Sequence, residues 1–285
     1  MTPSEVFRIA FLASAAGLMG GCGGGAPPVA VTPSPAPAPP PVAESVLPAG
    51  MAIEQTQAFV SPVSKKSYKI ETVADDRETE LRTLPAGLRD VRQDTTATAG
   101  ENYAGTARKA AKLSIAAAAT QNFADVKDLI ATLPAHNSMV NRTPKITTTA
   151  ASNRVAEEKR NVSFKAFLYA ASREDDNDFH LIVGRAPGAV PATYFTVELS
   201  GLPLGNSPAF GKLKAARDAF KTFFGNSIPG SGYDFYSPPI PVQIEGSLFF
   251  DISHATGSRP GPSALRPKMP VVWEVHPITK IVLEP

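Results

Sequence analysis

The stretch ATYFTVELSGLPLGNSPAFGKLKAARDAFKTFFG, residues 192–225, decides the fold. Its first eight residues alternate, with Tyr194, Thr196 and Glu198 opposite Phe195, Val197 and Leu199, as a half-buried strand requires. A helix follows with clear punctuation. Ser207 is a good N-cap, and Pro208 takes the first helical position, where a missing N–H costs nothing. Phe210, Leu213, Phe220, Phe223 and Phe224 form one apolar stripe, and Gly225 can supply the left-handed stop.

Before this pair, residues 161–169 alternate loosely around Val162, Phe164 and Phe167 and read as a strand. Residues 174–178, EDDND, are a turn by composition, because Asp and Asn side chains bond their own backbone. Phe179, Leu181 and Val183 then share one strand face, and Asp178, His180 and Ile182 the other. After the helix, residues 230–241 read as a loop, followed by strands over 242–250 and 271–283, with Pro277 marking an edge, bulge or break in the last. The order is three strands, a helix and two strands, which is that of the OB-fold, a five-stranded Greek-key barrel. The expected class is therefore mainly β with flanking helices, with an OB-like five-stranded barrel over residues 142–285. An open α+β sandwich is the alternative.

Residues 51–141 read as a mixed, partly helical leading region. Ser67 to Val73 alternates as a strand does, whereas the charged run 75–94, broken by Pro85 and Gly87, yields no element. The Ala-rich stretch 101–119 predicts a helix, and 124–133 a second one, with Val126, Leu129, Ile130 and Leu133 on one face and Pro134 beyond its end.

Residues 7–19 are apolar except for Arg8 and Ser14, too short to span a bilayer, and read as the core of a signal peptide. The segment LMGGC, residues 18–22, resembles the lipobox of bacterial lipoproteins. That resemblance implies a signal peptide over 1–22 and lipidation of Cys22. Residues 26–50 hold nine prolines, so 23–50 reads as an extended Pro/Ala/Gly-rich tether. The expected location is the cell envelope, anchored by lipid, in a bacterial outer membrane facing the periplasm. The expected partners are the membrane and possible envelope proteins or periplasmic ligands.

Lys and Arg number 28 against 26 Asp and Glu, a net charge of +2, which gives no broad electrostatic grip on nucleic acid. One cysteine excludes an internal disulfide and a Cys-rich zinc motif. Lys212, Lys214, Arg217 and Lys221 read as a solvated helix face. Neither a nucleophile elbow nor a phosphate-binding glycine loop occurs.

Three segments carry most of the histidines: DNDFHL at 176–181, FFDISH at 249–254 with Gly257, and EVHP at 274–277. With RTP at 142–144 they resemble the signature segments of an uncharacterised group of bacterial secreted proteins, DGDxHL, FFDxxHGQxG and ELHPV. The resemblance covers 142–283 and departs from the group's pattern at Asn177 and at Ala255-Thr256. It implies no particular activity.

Each of these histidines has an acid nearby: Asp178 with His180, Asp251 with His254, Glu274 with His276. In strands, positions i and i+2 share a face, so the first and last pairs meet. If the three segments converge, the six side chains could bind a divalent metal such as Zn, and with an open position would make a hydrolytic site. The residues favour the plainer reading, buried imidazoles tied to carboxylates, for which no cofactor is expected. Tyr233, Phe235 and Tyr236, on a loop flanked by Gly and Pro, are candidates for a contact surface. The favoured function is a non-catalytic binding or scaffold module, with a metal-dependent hydrolase as the alternative.

Overall fold

Residues 233–250 make one long strand, where a loop and a shorter strand were expected. In the computed structural model the described residues are Leu47, 51–73, 100–255 and 260–285. Cys22, the tether apart from Leu47, and the run 75–94 lie outside them. The strands are β1 (Ile53–Val60), β2 (Ser67–Val73), β3 (Thr120–Phe123), β4 (Asn161–Arg173), β5 (Phe179–Gly184), β6 (Tyr194–Leu199), β7 (Tyr233–Phe250) and β8 (Trp273–Leu283). They form one mixed sheet in the order β1-β2-β7-β8-β6-β5-β4-β3, and β7 pairs with β4 as well. The protein is mainly β with a few helices, as expected. The leading region contributes β1, β2 and β3 to this sheet.

The prolines in SPPIP explain the misreading of β7. Along one edge β7 pairs with β2 through Tyr233 to Ser237, then with β8 from Val242 onward. Along the other edge it pairs with β4, where the register jumps: Ala170 faces Phe235 but Leu168 faces Ile240. Pro238 and Pro239 therefore sit where the ladder is interrupted and their missing N–H groups cost no pairing. Tyr233, Phe235 and Tyr236 are buried rather than offered to a partner, so the proposed contact surface is absent at these rings. Alternation sends Tyr236 to the main core and Tyr233 and Phe235 to a smaller one with Ile182 and Tyr194.

The helices are shorter than expected. They are α1 (Lys109–Lys112), α2 (Val126–Ile130), α3 (His136–Val140), α4 (Phe210–Phe224) and α5 (Ile252–Ala255). Of the helix expected over 101–119 only α1 forms. Tyr103 instead donates its N–H to the Leu202 carbonyl and Ala104 to that of Asp176, and Arg108 adopts a left-handed φ of 51°. Tertiary pairing overrides the alanine propensity there. α2 keeps the expected face, with Val126 and Leu129 buried and Asp125 accepting from the Lys127 N–H at 2.8 Å.

In α4 the Ser207–Pro208 punctuation forms a turn, and the helix begins at Phe210. Its stripe packs as predicted, with the Phe220 ring 5.1 Å from Phe179 and 4.6 Å from Phe224. Arg217 is not on a solvated face. Its Nη1 donates to the carbonyls of Asn177, Leu199 and Ser200 at 2.9–3.0 Å, and burial lowers its guanidinium to about 10. Among the described residues no helix is long and apolar enough to cross a membrane.

Candidate functional site

β5, β6 and β8 lie side by side, and their register divides the side chains cleanly. His180 faces Glu198, and Thr196 faces Glu274, across antiparallel and parallel pairs respectively. Because residues alternate, Leu181, Val197 and Val275 go to the main core, and His180, Thr196, Glu198, Glu274 and His276 to the opposite face. Phe249 of β7, opposite Glu274, lays its ring 5.5 Å from that of His276. The chain from Tyr103 to Lys112 covers this face, held by the backbone bonds that kept it from forming a helix.

His276 Nδ1 lies 2.7 Å from Glu198 Oε2 and 3.2 Å from Glu274 Oε1, and its Nε2 is 3.3 Å from Asp178 Oδ2. Asp178 is anchored through its other oxygen, which accepts the Gly201 N–H at 2.6 Å. His180 Nδ1 meets the Tyr233 hydroxyl at 2.6 Å and Glu174 Oε1 at 3.6 Å, and its Nε2 is 4.0 Å from Glu198 Oε1. Lys112 Nζ stands 3.6 Å from Asp176 and Asp178 and 3.9 Å from Glu198.

Burial sets most of the electrostatics. It raises Asp178 well above the carboxylate range, with Asp176 adding, and raises Glu274, with Glu198 adding. It lowers His276 against the opposing pull of Glu198. Burial also disfavours the charges of Lys112 and Glu198, but here the neighbours win. Tyr103, Glu198, Asp176 and Asp178 hold Lys112 well above its ordinary value, and His276 and Lys112 hold Glu198 well below its own.

Two groups have the composition and spacing to hold a metal: Glu174, His180 and Glu198, and Asp178, Glu198 and His276. Of the six residues proposed from sequence, His180, His276, Asp178 and Glu274 come together. Asp178 pairs across strands with His276, which the i, i+2 rule does not anticipate. Asp251 and His254 do meet each other, through Oδ2 and Nδ1, but belong to neither group. There Asp251 Oδ1 accepts the N–H of Ser253 at 2.9 Å and caps α5.

Sequence reasoning missed Glu198, Glu174 and Lys112. The alternation in β6 had placed Glu198 on the polar face, and the parallel neighbour β8 is what turns that position into a site. An open cavity of about 250 Å³ lies elsewhere, lined by Tyr169, Arg185, Thr193, Tyr194 and Pro239, and shares no residue with the cluster. No family model, no curated protein and no solved structure matches the chain.

Proposed function

We propose that the protein is an exported lipoprotein, anchored in the cell envelope through Cys22 and held off the membrane by the 23–50 tether. Its 142–285 segment forms an OB-like five-stranded barrel that serves as a non-catalytic binding module. The pairings support the barrel: β4 to β5 to β6 antiparallel, β6 to β8 parallel, β8 to β7 antiparallel, and β7 back to β4, with α4 between β6 and β7. OB-folds bind ligands on the face of strands two and three, with the loops joining strands one to two and four to five. In this chain those parts are β5, β6, the 174–178 turn and the 251–272 connection.

One observation carries the binding reading: that face holds His180 and Glu198, joined by Glu274 and His276, in a cluster closed to solvent. A metal hydrolase needs an open coordination position that water and substrate can reach. The side chains of Asp178, Glu198 and His276 are 0%, 7% and 0% exposed, which favours holding a ligand over turning one over.

Two measurements test this. Fractionation with radiolabelled palmitate should find the wild-type chain labelled and in the membrane, and Cys22→Ser unlabelled and soluble. A soluble, unlabelled wild type removes the anchor. Phosphoester and ester hydrolysis with added Zn should not distinguish the wild type from His276→Ala, and a rate lost in the variant would establish the hydrolase instead.

A further inference from the structure

We propose that Asp178, Glu198 and His276 form a binding site for a divalent cation of the Zn type, and that the Lys112 ammonium competes with it. The inference deepens the binding-module reading by naming a ligand class, and rests on it only for the choice of face.

His276 is the starting point. Nδ1 is hydrogen-bonded to Glu274 Oε1 at 3.2 Å, so that nitrogen carries the ring proton and Nε2 keeps its lone pair. Glu198 Oε2, 2.7 Å from Nδ1, has no hydrogen-bond partner among the described residues and is left to act as a ligand. A carboxylate on one ring nitrogen is how proteins present the other to a metal. Nε2 lies 3.3 Å from Asp178 Oδ2, and among the described residues neither atom has a hydrogen-bond partner. Asp178 is 0% exposed and so is His276, so bulk solvent does not reach them. Two such atoms facing each other in a buried site need a cation or a proton between them, and the raised Asp178 carboxyl keeps a proton that a metal would displace.

The spacing favours the cation. Two ligands on a tetrahedral ion at about 2.0–2.1 Å stand about 3.3 Å apart, as these atoms do. Asp178 Oδ1 is already committed to Gly201, which aims Oδ2 inward. One ligand atom from each of Asp178, Glu198 and His276 lies within 4.8 Å of the others. One imidazole and two carboxylates form a donor set suited to Zn.

Lys112 supplies charge without seating. Its distances of 3.6 to 3.9 Å to Asp176, Asp178 and Glu198 exceed hydrogen-bond length. It neutralises the acids while leaving their lone pairs unfilled. A divalent ion would do both, and would be opposed by the ammonium.

The test is Zn titration of the full-length chain, stripped with chelator, by calorimetry. Lys112→Met should bind one Zn per chain at least about tenfold more tightly than the wild type, a factor worth about 1.4 kcal/mol. Lys112→Met/Asp178→Asn should lose that binding. If Lys112→Met binds no more tightly than the wild type, or the double variant binds equally well, the site is overturned. Should Lys112→Met not fold, Co(II) absorption of the wild-type chain decides. Tetrahedral bands lost in His276→Gln support the site, and their absence from the wild type overturns it. Metal binding accompanied by hydrolysis would overturn the non-catalytic reading and leave the site standing. Absence of metal in every variant overturns the site and leaves the anchor and the module untouched.

Discussion

Arg108 grips Glu158 with both Nη atoms, at 2.7 and 2.8 Å, and the two side chains are 2% and 0% exposed. The carboxylate also accepts the N–H groups of Phe250 and Val155, at 2.9 and 2.8 Å, and the guanidinium lies 4.5 Å from the Phe249 ring centre. One buried pair thus ties the covering segment to the end of β7, beside the candidate site. Arg108→Met would strand the carboxylate and should cost about 3–5 kcal/mol. Lys214→Met, which breaks the exposed pair with Asp218 at 2.6 Å, should cost less than about 1 kcal/mol. Urea unfolding of both variants checks this, and equal losses would refute it.

Gly246 lies opposite the irregular part of β8, where the register slips around His276 and Pro277. A Cβ there would sit 2.3 Å from the Pro277 carbonyl oxygen and 2.5 Å from Val275 Cγ1. Gly246→Ala should therefore destabilise by about 1–3 kcal/mol or more. Gly211, in the first turn of α4 with open space around it, gives the opposite expectation. Gly211→Ala should stabilise by up to about 1 kcal/mol. Thermal melting of the two variants should shift in opposite directions.

The Tyr233 hydroxyl bonds His180 Nδ1 at 2.6 Å inside the protein, and Tyr233→Phe removes that bond. The expected loss is about 1–2 kcal/mol by chemical unfolding. An unchanged stability would show that the hydroxyl has no structural duty and would reopen the possibility that it serves a partner.

Asp234 and Glu284 should give opposite pH responses. Burial raises Asp234 above its ordinary value, although Thr72 donates a hydroxyl bond to it at 2.6 Å. The folded chain keeps a proton there that the unfolded chain releases, so this contribution is present at low pH and fades as pH rises through the folded value. Asp234→Asn should stabilise at about pH 8 and lose that advantage near pH 3.

Glu284 is held below its ordinary value because the bonds from Lys66, Ser64 and Tyr68 outweigh burial. Its contribution is present above the unfolded value and is lost as pH falls through the folded one. Glu284→Gln should destabilise at about pH 8, with the difference vanishing in acid. Melting temperatures across that range would expose either sign error.

The parts of this fold that could be read in advance were those governed by local period. β5 and β6 alternate without interruption, and the phenylalanines of α4 repeat at helical spacing, so both survived with small changes of boundary. Residues 101–119 failed because alanine propensity is weak against the backbone bonds of Tyr103 and Ala104. SPPIP failed because the prolines looked like loop, when they mark a change of partner within a strand. In the site, His180 and His276 stood out by residue type. Glu198 was on the right face, but its importance comes from the parallel β6–β8 pairing, a contact between distant segments. Lys112 joins from farther still, and no spacing connects it to the histidines.

β1 is hydrogen-bonded to β2 alone, and Ile53, the first residue of β1, stands opposite Val73, at the open end of the hairpin. Mechanical load drawn through Met51 away from the sheet would therefore fall on one rung at a time, starting with Ile53 and Val73. β2 would stay bound to β7 through Lys69 to Val73 while β1 peeled. Were the chain anchored through Cys22 as proposed, the hairpin would act as a fuse: tension from the membrane side would be spent on a strand that can rezip, before any of it reached the strands that carry the histidines.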